Sequence, residues 1–222
     1  PISELAFCEA IEHLPDTRLC FSAPAQAPDV SALPALRKGH ITFASFQSAT
    51  KFNPAVWQLW ARVLNQVPGA RLRLASRQTI TDTGVAQLTR QLLDAGLSPS
   101  RVDLAHPSER AQYLAAYAEV DLVLDTFPAT GGTTTCEALW MGVPTLTLYD
   151  ASPTGQPMMR RQGASLLQAA GLHDWVAHDE ADFVRLAVAK SAEVSALAQL
   201  RQRLRAQVQR SPLMDAPRFA TA

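Results

Sequence analysis

Cysteine is scarce in this chain, and the scarcity excludes two kinds of protein at once. Cys8, Cys20 and Cys136 are the only three among 222 residues. They are odd in number and widely scattered, which rules out a disulfide framework. No CxxC or Cys/His pair has the spacing of a zinc site, and no metal is expected. Net charge is also missing, since Lys plus Arg and Asp plus Glu are both 20. No overall field draws the chain to nucleic acid or to an acidic membrane surface. There is no apolar run of about 20 residues to span a bilayer and nothing like a signal peptide, so a soluble cytoplasmic protein is expected. The first residue is Pro1 rather than Met, which suggests a fragment or a processed form. Walker A, Gly-x-Ser-x-Gly and GxGxxG patterns are absent, as is an obvious carboxylate pair. The missing GxGxxG weighs against a dinucleotide dehydrogenase.

What is present is a strand–helix alternation. Residues 1–40 include the Pro/Ala-rich stretch APAQAPDVSALPALRKG and are expected to form an extended connector. Residues 41–178 alternate short apolar runs with helical patterns. ITFASF precedes a helix capped by Asn53 with Pro54 at its first position. RLRLAS leads to a helix closed by Gly96. RVDLAH precedes a single helix over ERAQYLAAYAEV, and LVLDTF, PTLTLYD and DWVAH complete the strands. Short connections of this kind imply right-handed βαβ units: an α/β, Rossmann-like parallel sheet with helices on both faces. Residues 179–222 are expected to form a helical carboxyl-terminal extension. Trp57, Trp60 and Trp140 fall among apolar residues at helical spacing and belong to the core. Arg201, Arg203 and Arg205 form a basic stripe, most simply a solvated helix face.

Residues 122–148, LVLDTFPATGGTTTCEALWMGVPTLTL, carry the most chemistry. A strand ends at Asp125, a Pro/Gly turn follows, and three threonines open a helix that stops at Gly142. The N–H groups of Thr133, Thr134 and Thr135, behind Gly131 and Gly132, therefore stand at the positive end of a helix, a favourable place for phosphate. In doubly wound sheets ligands sit at the carboxyl ends of the strands, which also singles out the loop from Ser45 through Ser48 to Lys51. Lys51 either neutralises a diphosphate there or is a solvated loop lysine. Glu137 is placed in the first turn of the threonine helix, as a dipole partner or as an acceptor for sugar hydroxyls. Asp125 is expected to brace the following loop through bonds to backbone N–H groups. His106 follows a strand with no nameable partner, and Arg160 and Arg161 read as a solvated helix start.

The run LDTFPATGGTTTCEALWMGVPTLTL, with FASFQSATKFNPAVWQLWARVLNQVPGARLRL upstream, closely resembles the carboxyl-terminal catalytic lobe of the O-linked N-acetylglucosamine transferase family, SPINDLY-type enzymes included. LPDTRLCFSAP and SPLMDAPRFATA resemble its flanking segments, so the likeness covers nearly the whole chain. The resemblance implies the donor-binding lobe of an inverting, metal-independent GT-B protein O-glycosyltransferase that needs no cofactor. Its donor would be UDP-N-acetylglucosamine or GDP-fucose. By the same resemblance Lys51 contacts the donor diphosphate, Thr133 and Thr134 bind its phosphates, Glu137 meets the ribose, and Arg110 lies near base and ribose. Backbone around His106 to Glu109 would read the base. Two positions depart from the N-acetylglucosamine branch: Gly132 stands where His is common, and Tyr113 replaces another His. YDASPTGQPMMRR is about five residues longer than the family pattern, a length that loops tolerate. The family's tetratricopeptide repeats and amino-terminal lobe, which bind the acceptor protein, have no counterpart in the roughly 40 residues before the first strand. Two classes thus stand at this point: half of a glycosyltransferase acting on Ser or Thr of proteins, and a non-enzymatic nucleotide-binding or interaction module.

Overall fold

The structure, a computed structural model, describes residues 10, 12–76, 81–106, 109–149 and 158–222. Six parallel strands form one sheet: β1 (Thr42–Ser45), β2 (Arg71–Ala75), β3 (Val102–Ala105), β4 (Leu122–Leu124), β5 (Thr145–Leu148) and β6 (Val176–Ala177). Their order is β3-β2-β1-β4-β5-β6, so the direction of winding reverses between β1 and β4. That reversal opens a crevice beyond the carboxyl ends of β1 and β4, the place where doubly wound sheets bind ligands.

Local sequence explains most of the helices. A short α1 (Ala35–Lys38) precedes the sheet. In α2 (Pro54–Gln66) the Asn53 side chain accepts from Val56 N, and Pro54 takes the first helical position, where its missing N–H costs nothing. One face of α2 buries Val56, Trp57, Leu59, Trp60, Val63 and Leu64. Phe52, Trp57 and Trp60 meet edge to face with ring centroids 5.1 to 5.5 Å apart. Thr81 caps α3 (Asp82–Asp94), and Gly96, at φ 75°, supplies the left-handed turn that ends it.

The helix expected over ERAQYLAAYAEV is shorter. It is α-helical only as α4 (Arg110–Ala115) and tightens into a 3-10 turn over Ala116–Glu119. The terminal carbonyls of Tyr117 and Val120 are instead satisfied by the Arg201 guanidinium, at 2.9 and 2.7 Å.

After β4 comes α5 (Thr133–Trp140), then α6 (Met158–Ala169), α7 (Glu180–Ala192), α8 (Val194–Gln209) and α9 (Ala216–Ala220). The carboxyl-terminal helices pack on the sheet layer: α7 against β5, β6 and α2, and α8 against α5. The segment before the sheet is tied in as well. Leu33 is buried, and the Asp121 carboxylate accepts from both Ala35 N and Thr42 N at 2.8 Å.

The basic stripe on α8 proves to be mostly internal. Arg201 is fully buried and donates to Ser31 O and Ser31 Oγ besides the two carbonyls above. Arg205 donates to Trp140 O and Pro28 O, while Arg203 is exposed. Arginine joins pieces of backbone here because its five fixed donors can serve several carbonyls at once. Periodicity alone does not distinguish such a clamp from a wet face. Trp57, Trp60 and Trp140 are buried as expected. Among the described residues no helix is long and apolar enough to cross a membrane, and no group of three His, Cys, Asp or Glu side chains could hold a metal ion.

Candidate functional site

Two loops and one helix terminus meet at the crevice. The loop after β1 contributes Gln47, Ser48 and Lys51. Ser48 caps the 3-10 turn Ala49–Lys51, accepting from Thr50 N, and is itself exposed. The turn carries Lys51 inward, where its Nζ donates to Gln47 Oε1 at 2.9 Å and to Thr130 O at 3.0 Å. Burial lowers the Lys51 pKa from its usual value, and the nearby Asp125 carboxylate opposes that shift. An ammonium carries three donors, and this arrangement engages two.

Asp125 shapes the facing wall. Fully buried at the end of β4, it accepts from Thr126 N at 2.9 Å, Gly131 N at 2.8 Å and Thr147 Oγ1 at 2.8 Å. Burial pushes its pKa up to about 6 even though these bonds and Lys51 favour the charged form. The carboxylate thereby folds the Phe127–Gly131 turn back on itself, the bracing role expected from sequence. Thr130 fastens that turn to α6: its N and Oγ1 both donate to Met159 O, and its Oγ1 accepts from Gly163 N.

The turn delivers Gly131 and Gly132 to the start of α5. A Cβ on Gly131 would collide with Gln47 Nε2 and Thr135 Oγ1, so glycine is what permits this close approach. No side chain caps α5. The backbone bonds begin with Cys136 N to Gly132 O, which leaves the N–H groups of Thr133, Thr134 and Thr135 without a partner inside the helix. Thr133 is exposed and Thr134 half-buried, its Oγ1 accepting from Gln47 Nε2 at 2.6 Å. Thr135 is buried, and its Oγ1 has no hydrogen-bond partner. The result is a concentration of donors at the positive end of a helix, with a cation alongside.

A second cluster adjoins it. Glu137 lies in the second turn of α5, not the first, so its role is not that of a first-turn dipole partner. Its buried carboxylate meets Arg110 Nη2 at 2.5 Å and accepts from Tyr113 Oη at 3.1 Å. The Arg110 guanidinium stands 5.6 Å over the Tyr113 ring, and Tyr113 and Tyr117 enclose Phe46 by edge and face contacts. Burial, reinforced by the Glu137 charge, raises the Tyr113 pKa far above that of a free phenol, so the hydroxyl stays a donor. An acidic side chain held between a half-exposed guanidinium and an aromatic ring suits a ribose and a flat base.

The structure thus brings Lys51, Gly131, Gly132 and Thr133 to Thr135 together, and joins Arg110 to Glu137 beside them. His106 is exposed at the end of β3, and no described hydrogen bond links it to either cluster. Arg77, Pro107, Ser108 and residues 150–157, which include most of the long loop expected after β5, lie outside the described residues. Sequence reasoning missed Gln47 and Gln162. Gln47 carried a faint signal, a polar residue directly after an apolar strand. Gln162 carried none, because only the packing of α6 brings it to the helix terminus.

A doubly wound parallel lobe with this donor-rich crevice is a Rossmann-like lobe of the GT-B kind. Residues 31–222 match the family model of Glycosyl transferase family 41, and the chain belongs to that family. It is 38% identical over 220 residues to a Petunia hybrida protein named as a probable UDP-N-acetylglucosamine–peptide N-acetylglucosaminyltransferase SPINDLY, covering 99% of this chain and 23% of that protein. Identity to the UDP-N-acetylglucosamine–peptide N-acetylglucosaminyltransferase of Caenorhabditis elegans is 26% over 209 residues, covering 94% of this chain and 17% of that protein. Among solved structures, the K341M mutant of Thermobaculum terrenum O-GlcNAc transferase superposes with a TM-score of 0.86 at 31% identity, over 99% of this chain and 40% of that one. The chain therefore spans about a quarter of the Petunia relative it matches.

Proposed function

We propose that this chain is the donor-nucleotide-binding lobe of a glycosyltransferase that transfers a sugar to Ser or Thr of proteins. One observation carries the reading: the unpartnered N–H groups of Thr133 to Thr135 and the Lys51 ammonium converge on one crevice at the carboxyl ends of β1 and β4. A nucleoside diphosphate leaving group fits that chemistry. As the bond between the sugar's anomeric carbon and the phosphate oxygen breaks, the electron pair goes to the phosphate. Fixed N–H dipoles and a half-buried cation stabilise the charge that develops there more than they stabilise the ground state. In an inverting reaction the acceptor hydroxyl attacks the opposite face of that carbon. Its proton passes to a base that this lobe is not assigned. Lys51 is then the catalytic residue of the lobe, Thr133 to Thr135 hold phosphate, and Glu137 with Arg110 receives the nucleoside. No metal or cofactor has a part in this scheme. Repeats and an amino-terminal lobe on the same polypeptide would bring the acceptor protein, in a cytoplasmic setting.

UDP-N-acetylglucosamine is the donor named by the relatives. GDP-fucose is the second reading, favoured by Gly132 and Tyr113, which stand where the N-acetylglucosamine branch commonly has His. Calorimetric titration of the chain with UDP, GDP and both nucleotide sugars tests the proposal and ranks the bases. Binding of none of them would sink the donor-lobe reading. Selective binding of GDP would move the donor to GDP-fucose, and nucleotide binding without transfer by the complete protein would leave a non-enzymatic module.

A further inference from the structure

Two glutamines meet the Gly131–Gly132 turn from opposite sides, and only one of them is fully engaged. Gln47 has both ends of its carboxamide bonded, Oε1 by Lys51 and Nε2 to Thr134 Oγ1. Gln162 comes from the second turn of α6 and is 6% exposed. Its Oε1 accepts from Arg18 Nη2, whereas its Nε2 finds no acceptor among the described residues. That Nε2 stands 2.5 Å from where a Cβ on residue 132 would be, so Gly132 is the residue that lets it reach the amino end of α5.

The orientation of this amide follows from chemistry. Arginine only donates, so the oxygen must face Arg18 and the NH2 group must face the helix terminus. Around that point the Thr133, Thr134 and Thr135 amides and, beyond Gly131, Lys51 concentrate donors. An NH2 group so placed has two donors to offer to an acceptor at the helix terminus.

We infer that Gln162 is a diphosphate-binding residue whose Nε2 donates to a phosphate oxygen at the amino end of α5, with Arg18 as the positioning residue that sets its amide. The inference rests on the nucleotide-donor reading of the site. It gives the diphosphate a second flank, Gln162 with Arg18, across the glycine pair from Gln47 with Lys51. Arg18 is exposed, so removing its guanidinium opens no core.

The test compares the diphosphate and monophosphate of whichever nucleoside the wild-type chain binds, uridine or guanosine, by calorimetry. A hydrogen bond to a charged group implies that Gln162→Leu weakens the diphosphate about tenfold or more, with the monophosphate changed by less than about twofold. Arg18→Leu should show a smaller loss of the same kind. Gln162→Glu should lose more than Gln162→Leu, because its carboxylate faces the phosphate. Thermal melts establish that each variant is folded. Unchanged diphosphate affinity in Gln162→Leu, or equal losses for both nucleotides, overturns the assignment while the donor-lobe reading stands. A wild-type chain that binds neither UDP nor GDP removes the donor-lobe reading itself, and this inference with it.

Discussion

Lys51→Met isolates the charge on which the proposed function depends. Methionine retains much of the aliphatic stem that packs beside Gln47 and removes only the ammonium. In the structure Lys51 Nζ makes two hydrogen bonds, at 2.9 and 3.0 Å, which leaves one of its three donors for a phosphate in the proposed complex. A hydrogen bond between charged groups contributes about 1.5–3 kcal/mol, so loss of this one should weaken UDP or GDP binding roughly 10- to 150-fold. Coulomb attraction to a phosphate at about 4 Å sets an upper scale near 4 kcal/mol in the intermediate dielectric of a protein surface. A nucleoside without phosphate places no charge near Lys51, and its affinity should change by less than about twofold on the same reasoning. Calorimetry with UDP and uridine, or GDP and guanosine, measures both losses on one preparation, and a urea titration checks the fold. Equal weakening of nucleoside and diphosphate, or no weakening of the diphosphate, would refute the placement of Lys51 at the phosphate.

Three further outcomes are expected. Asp125 holds a folded pKa of about 6 against 3.8 for a free side chain. An acid with a raised folded pKa favours folding most when protonated, so its contribution is full below about pH 4 and is lost as pH rises to about 6. The loss amounts to roughly 3 kcal/mol for this one group. The stability of wild type minus that of Asp125→Asn, measured by urea unfolding, should therefore fall between pH 4 and 7, and a constant difference would contradict it. Arg201→Ala removes a buried guanidinium that donates to the carbonyls of Ser31, Tyr117 and Val120 and should cost about 3 kcal/mol or more, whereas Arg203→Ala should stay within about 0.5 kcal/mol. Equal denaturation midpoints for the two variants would refute the clamp. Glu137→Gln weakens the contact with Arg110 and should reduce the preference for a ribonucleoside diphosphate over its 2′-deoxy form by several-fold, since a carboxylate accepts a hydroxyl hydrogen bond more strongly than an amide does. An unchanged preference would remove Glu137 from the ribose.

Much of the fold was legible because its signals are local. Asn53 before Pro54, glycines at helix ends and short apolar runs each act over a few residues, and each appears where the sequence implies it. The helix over 109–120 came out short because its end is decided by Arg201, some eighty residues away, which takes the carbonyls that a longer helix would have kept. The same residue shows why the basic stripe was misread: charge and period are the same on a wet face as on a clamp. Glu137, expected in the first turn, falls just beyond it as the fifth residue of α5, a difference within the looseness of helix ends read from sequence.

By itself the sequence determined the parallel α/β class, the Gly-Gly-Thr-Thr-Thr turn as the start of a helix after β4, and membership of a known family. These rest on periodicity, residue chemistry and a long specific motif, all carried in contiguous stretches. Only the tertiary structure decided what surrounds that turn. It brought Gln47 and Lys51 to one side and Gln162 with Arg18 to the other, and it set Arg110 against Glu137. Such pairings join residues up to 144 positions apart, and their geometry follows from strand order and helix packing, which no local pattern encodes.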